Sequence, residues 1–155
     1  MRRKDREIKD NKIIEEILLK SDICRLGLID NNEAYIVPVN YGYKDGIIYI
    51  HSAPAGRKIE LIRKDNRVSF EVEFTSEIVR NKIPCKWASR YRSVMGKGTV
   101  LIVDEINSKK KGLDLILKKY GAAGDLGYDD SALSRMVLLK LIITSVTGKQ
   151  SGNWQ

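Results

Sequence analysis

The chain has 155 residues, a formal net charge of +8, a hydrophobic share of 43% and a charged share of 31%. That is enough for one well-buried domain over residues 1–155 and too little for two, with order expected to fail only at the ends, 1–9 and 151–155. No apolar run approaches the ~20 residues of a membrane span, and the opening MRRKDREIKDN lacks the apolar core of a signal peptide. The expectation is a cytoplasmic protein with no membrane partner. The excess cations fall in Arg2 to Lys12, Arg57 to Arg67, Arg80 to Arg92 and Lys109 to Lys119, mixed with acids in most segments and forming no nucleic-acid motif. Cys24 and Cys85 are too few and too far apart for a disulfide framework or a zinc site.

Asp10 or Asn11 can cap a first helix that recurs Ile13, Ile14, Ile17 and Leu18 on one face and Lys12, Glu15, Glu16 and Lys20 on the other. Ile23 to Ile29 reads as a strand with Cys24, Leu26 and Leu28 on one side, followed by an Asp30-Asn31-Asn32 turn. Cys24 is thereby core filler rather than a nucleophile. Ala34 to Tyr43 reads as a second strand, with Tyr35, Val37, Val39, Tyr41 and Tyr43 on one face. Pro38 cannot donate to a ladder, so this strand belongs at an edge or a bulge, where backbone groups are free for a ligand. Lys44-Asp45-Gly46 is a hairpin turn.

The return strand, Ile47 to Ile50, leads into a small-residue loop, His51 to Gly56, and then a helix from Arg57 to Lys64. The first turn of a helix carries the positive end of its dipole and exposed N–H groups, so a cationic pair at Arg57 and Lys58 is unfavourable there unless an anion joins it. A phosphate held by the amides, the Ser52 hydroxyl and both cations would reverse the penalty. A solvated basic pair is the alternative.

Arg67 to Phe74 alternates Val68, Phe70, Val72 and Phe74 with polar residues, a half-buried antiparallel strand. Thr75 to Ala88 is patterned too weakly to read as more than a partly ordered connection; its Trp87, with Tyr91 just beyond, suits a planar ligand or an interface equally. Tyr91 to Val103 is a long strand in which Gly96 and Gly98 share a face, marking a bend or the close approach of something flat. Ser108 or a neighbour caps a helix through Leu113, Ile116, Leu117 and Tyr120, and Asp130 to Ser134 makes one further helical turn. Met136 to Val146 is apolar on both faces, a central strand covered outside by helix or partner. Trp154 either docks across a partner or stays loose. Six strands with short turns and three helices favour a mainly β fold, a small antiparallel Greek-key barrel, over a doubly wound parallel sheet.

Four patches in order, YIVPVNYGY (35–43), IYIHSAPAGRKIELIRKDNRVSFEVE (48–73), CKWASRYRSVMGKGTV (85–100) and TGKQSG (147–152), resemble the flavin-binding split-barrel superfamily of pyridoxamine phosphate oxidase. Within it the chain is most similar to the nitroimidazole-resistance group. The resemblance covers roughly residues 4–150 and implies a homodimeric six-stranded split barrel with FMN at the subunit interface. By position it assigns Val37, Pro38, Val39 and Asn40 to the isoalloxazine. His51, Ser52 and Ala53 go to the ribityl and phosphate, and Arg57 and Lys58 to the phosphate. Arg92, Ser93, Val94 and Gly96 match the oxidase's Arg-Gln-Val strand, with Ser93 in place of the glutamine. The oxidase's C-terminal substrate signature is absent from TGKQSGNWQ, whereas His51, the chain's single histidine, matches the site histidine of the resistance proteins.

The implied activity is electron transfer from NAD(P)H through FMN to a small acceptor, nitroaromatic or quinone-like, with His51 as proton donor or substrate guide. The alternative is a noncatalytic flavin- or haem-binding module that stores or senses its ligand. No metal and no nucleic acid is implied.

Overall fold

The structure, a computed structural model, describes residues 3–154, and at 75 and 76 the backbone alone. The expectations for residues 1, 2 and 155 lie outside the described residues. The elements in chain order are β1 (Glu7–Ile8), α1 (Asn11–Lys20), β2 (Cys24–Asp30), β3 (Glu33–Val39), β4 (Gly42–Lys44), β5 (Ile47–Ser52), α2 (Arg57–Lys64), β6 (Arg67–Val79), β7 (Ala88–Val103), α3 (Ile106–Lys119), α4 (Asp130–Ser134) and β8 (Val137–Ser151).

All strand pairs are antiparallel and form one eight-stranded sheet in the order β3-β2-β6-β7-β8-β5-β4, with β1 added to β8. The expected six strands become eight for two reasons. The Ala34–Tyr43 strand is broken at Asn40 and Tyr41 into β3 and β4, and the N-terminal segment supplies the short β1.

The break closes the fold. β3 and β4 sit at opposite ends of the sheet order, yet only Asn40 and Tyr41 separate Val39 from Gly42. Such a link spans at most about 10 Å, so the two edges of the sheet must come together without pairing, as an incompletely closed barrel.

The core lies inside this curl. Alternate residues Cys24, Leu26 and Leu28 of β2, Ile48 and Ile50 of β5, Val68, Phe70 and Val72 of β6, and Val137, Leu139 and Leu141 of β8 meet Ile14, Ile17 and Leu18 of α1 there. The α1 cap is Asp10, whose carboxylate accepts from the Lys12 amide at 2.8 Å. Outside, α3 covers the start of β8: a Cβ at Gly112 would lie 2.5 Å from the Leu138 methyls, so the helix rests directly on that leucine. This is the two-sided burial expected of β8, confined to its first residues. The α3 cap is Glu105, which accepts from the Asn107 and Ser108 amides, so the helix begins earlier than expected. Its buried positions are Lys109, Gly112 and Ile116, while Leu117 and Tyr120 are exposed. Lys109 is buried because its ammonium pairs with Asp104 and donates to the Leu133 carbonyl at 2.8 Å, tying α4 to α3.

The glycines of β7 are explained by the chain itself. A Cβ at Gly98 would meet the Ile142 carbonyl oxygen at 2.2 Å, beside a register shift between β7 and β8, and one at Gly96 would meet the Phe70 ring at 2.4 Å. The strand bends at these points against its own neighbours.

Candidate functional site

The strand β5 extends further than expected: His51 and Ser52 pair with Leu138 and Val137, leaving only residues 53–56 as loop. Alternation along β5 then exposes His51 and buries Ser52. The loop ends at Gly56, the N-cap of α2, with φ +107 and ψ 169, a region open to glycine alone. A Cβ there would touch nothing within 4 Å, so backbone conformation and not space selects the residue. Ile59, Leu61 and Ile62 bury one side of α2.

The two cations of the first turn are in different states. Arg57 is already neutralised: its guanidinium makes a two-point contact with Asp30, Nε to Oδ2 being 2.6 Å, and lies 3.7 Å from Glu60. The hydrogen bond to Asp30 pushes its pKa up. Lys58 is half-buried and has no ion-pair partner among the described residues, and desolvation pushes its pKa down. Asp30 opens a tight turn in which Asn31 and Asn32 both have positive φ, 48 and 68.

On the edge strand β3, Pro38 is exposed and sits opposite Arg25, as a residue without an N–H requires. Val37 is half-buried and Val39 buried, and Asn40 is exposed in the link to β4. The next residue is held from three sides. The Tyr41 hydroxyl donates to the Leu18 carbonyl at 2.6 Å, its amide donates to the Tyr120 hydroxyl at 3.1 Å, and the Lys119 ammonium lies 3.2 Å from its ring centroid. Sequence reasoning missed this clamp; the Tyr41 and Tyr120 aromatics were visible, but not their meeting.

The outer face of the sheet carries a groove of ≈ 520 Å³ whose walls include Gly27, Ile36, Glu71, Met95, Lys97 and Thr147. Ile36 and Met95 are 65% and 57% exposed. Among the described residues no cluster of His, Cys, Asp and Glu could hold a metal, and no helix is long and apolar enough to cross a membrane. Burial pushes the Cys24 thiol up to about 12, consistent with core filler.

The model of a family described as pyridoxamine 5'-phosphate oxidase matches residues 10–150. The chain belongs to the pyridoxamine 5'-phosphate oxidase family. A solved structure described as a candidate 5-nitroimidazole antibiotic resistance protein from Bacteroides thetaiotaomicron is 31% identical, with a TM-score of 0.83 over 92% of this chain and 85% of that one. A FAD and heme binding protein from Mycobacterium smegmatis shares the fold at 17% identity, TM-score 0.85, over 96% of this chain and 75% of that one. A flavocytochrome from Azotobacter vinelandii does so at 15% identity, TM-score 0.81, over 99% and 72%. No curated protein sequence matches the chain.

In this member of the oxidase family the residues expected to contact a flavin divide into two groups. Val37 to Asn40 run directly into the β4–β5 hairpin, where Gly42 pairs with Tyr49, two residues before His51. His51, Ser52 and Ala53 continue to Arg57 and Lys58. Arg92 and Ser93 are elsewhere: Arg92 pairs with Gln150, whereas His51 pairs with Leu138, so ~40 Å of β8 contour separates their rungs. Arg92 is also engaged within its own chain. Its Nε donates to Gln150 Oε1 at 3.2 Å, Glu16 lies 3.6 Å away, and the guanidinium sits 4.4 Å from the Trp154 ring centroid. Trp154 thus docks on its own barrel. The Val94 side chain is fully buried in the core, and the space a Cβ would take at Gly96 is filled by Phe70, so neither side-chain position is open to a ligand from the inner face.

Proposed function

We propose that the protein binds FMN as a homodimer and acts as an oxidoreductase, taking electrons from NAD(P)H and delivering them to a small nitroaromatic or quinone-like acceptor. The observation that carries the reading is the state of Lys58: a half-buried ammonium without a carboxylate among the described residues, one residue past the neutralised Arg57 and two past the left-handed Gly56. A bare desolvated cation at that point lacks an anion, and a terminal phosphate supplies one. Arg57, held by Asp30, fixes the entry of α2 rather than carrying the anion alone. The solved neighbours described as FAD- or heme-binding support the flavin class, and the resistance-protein neighbour supports the acceptor class.

The chemistry a bound flavin supplies is acceptance of a hydride from the nicotinamide and return of two electrons to the acceptor. The residues of the chain bind and orient. Lys58 and the Ser52 hydroxyl hold the phosphate end. The edge at Val37 to Asn40, interrupted by a proline, offers backbone groups and the Asn40 amide to a ring. His51, exposed on the last rungs of β5, is placed to give a proton to the reduced acceptor. The split into two groups supports the homodimer reading, in which the Arg92–Ser93 end of one chain reaches a site built on His51 and Lys58 of a second chain.

The test is an absorption spectrum of the purified protein, titration with FMN, and reduction with NADH or NADPH in the presence of a nitroimidazole. A colourless protein that takes up no FMN refutes the reading. Bound flavin that no nicotinamide reduces, together with a haem Soret band on titration, selects the noncatalytic module, for which the exposed His51 imidazole is a candidate iron ligand.

A further inference from the structure

Lys140 is out of place in its strand. At this position β8 pairs with Tyr49 of β5 and with Leu101 of β7, so the lysine stands in the middle of the sheet, within the otherwise apolar residues 137–143. Its side chain belongs to the outer face, between Leu138 and Ile142. Leu138 is fully buried beneath α3 and Ile142 is exposed, so Lys140 lies where the cover of the helix ends. Every other buried or half-buried lysine except Lys58 has a partner among the described residues. Lys109 has Asp104, Lys110 has Asp130, Lys119 has the Leu18 carbonyl and Lys149 has the Tyr91 ring. Lys140 has none.

In front of it lies a groove of ≈ 340 Å³ between α3 and the outer face of β4, β5 and β8, a volume in the range of small-ligand sites. The pairing registers put Lys44, Tyr49 and Lys140 on that face, and Lys111, Leu115 and Lys118 recur at helical spacing along the side of α3 that meets it. The helix is set close to the sheet, since a Cβ at Gly42 would lie 2.8 Å from the Ile116 nitrogen. Lysine ion pairs among the described residues are made by Lys20, Lys109 and Lys110 alone, so all four lysines of the groove lack one. The acids nearby are engaged or fewer. Asp114 stands in the wall at ion-pair spacing from Lys111 and Lys118, yet its Oδ1 accepts from the Tyr128 hydroxyl at 2.5 Å. Glu105 accepts from the Asn107 and Ser108 amides, and Asp45 is in the β4–β5 turn. Cations gathered in this way repel one another until an anion joins them.

We propose that the groove is a second ligand site, for a small molecule carrying a diphosphate group. Lys111 and Lys118 are ~10 Å apart along the α3 axis. One phosphate reaches ammonium groups at only one end of such a span; two linked phosphates reach both, with Lys140 and Lys44 facing them from the sheet. Each ammonium offers three donors to the phosphoryl oxygens. Neither Ser52 nor Lys58 lines the groove, so the site would exist with or without a bound flavin. Free diphosphate and the diphosphate of a nucleotide share this chemistry.

Calorimetric titration of the flavin-free protein with inorganic pyrophosphate, ADP and NADPH at fixed ionic strength tests the groove. Pyrophosphate should bind at least ~10-fold more tightly than inorganic phosphate, and Lys140→Met should raise its Kd at least ~10-fold. Lys111→Gln/Lys118→Gln, both exposed on α3, should do the same without touching the strand, and thermal melts check that each variant folds. Lys9→Gln/Lys12→Gln removes two exposed lysines elsewhere and should leave the Kd within ~2-fold, as should Lys58→Met. Equal affinity for the three probes assigns recognition to the diphosphate alone; at least ~10-fold tighter binding of ADP or NADPH adds the nucleoside, against Tyr49 and Leu115. No binding of pyrophosphate at about 1 mM, equal binding of phosphate, a loss in Lys58→Met in place of Lys140→Met, or an equal loss in the Lys9→Gln/Lys12→Gln control overturns the proposal. FMN affinity should be the same in Lys140→Met as in wild type. A protein that binds pyrophosphate in this way and no FMN keeps the groove and refutes the flavin reading alone.

Discussion

Replacing Lys58 by Met should move stability and cofactor affinity in opposite directions. In the free protein the Lys58 ammonium is desolvated with no carboxylate among the described residues to compensate, so the neutral side chain of similar length should leave the protein at least as stable as wild type. In the FMN complex the same change removes a hydrogen bond to a charged phosphate, worth about 1.5–3 kcal/mol, which corresponds to a roughly 10- to 150-fold rise in Kd. Arg57→Ala makes the contrasting control. It releases Asp30 from the two-point contact and should lower stability, while affecting FMN less than Lys58→Met, because Arg57 must share its charge with Asp30 and Glu60. Urea melts of the apoprotein and fluorescence titration with FMN measure both quantities on one preparation. An unchanged Kd for Lys58→Met, or a larger loss for Arg57→Ala, would show that the phosphate is not held by the unpaired cation.

The glycines divide by what fills their missing Cβ. Gly98→Ala drives a methyl into the Ile142 carbonyl, which is backbone, and should cost about 3 kcal/mol or more, lowering Tm by about 6–12 °C. Gly112→Ala meets only the Leu138 methyls and gains about 1 kcal/mol of helix propensity, so its melt should stay near wild type. Lys119 gives a pH test: burial pushes its pKa down to about 8, so above that pH the unfolded state binds more protons and stability should rise with pH. Cys24 acts oppositely, since its thiol is held up at about 12 and stability should fall above its ordinary pKa near 9. Denaturant melts between pH 7 and 10 should therefore show a shallow rise to about pH 9; Lys119→Met should abolish the rise and Cys24→Ala should soften the later fall.

Local rules recovered the parts of the fold that are local. α2 has the bounds expected, Arg57–Lys64, because its start is set by a left-handed glycine and its stop by loss of apolar spacing. Pro38 announced an edge strand, and the alternation of β2 and β6 announced the core. Failures came where pairing between distant segments decided the outcome. Asn40 and Tyr41 look like strand residues, and only the need to join the two edges of the sheet turns the chain there. The weak pattern after Phe74 hid the continuation of β6 to Val79, whose order comes from cross-strand pairing with β7 and from the Trp87–Asn81 bond. Glu105 was passed over as a cap because serine and asparagine lead that position. At the site, the position of the basic pair was legible but its division of labour was not, since Asp30 lies in a different hairpin.

The placement of β8 has a consequence for how the protein is made. This strand, the last of the eight to leave the ribosome, pairs with β1, β5 and β7. At ~5–20 residues/s the stretch from the end of β7 to the end of β8 takes roughly 2–10 s to emerge, and throughout it β5 and β7 each present an open strand edge. Such edges recruit other chains. The nascent protein is thus most exposed to aggregation just before β8 emerges, and a holdase that binds β-edges, rather than faster local folding, should decide how much of it reaches the native state.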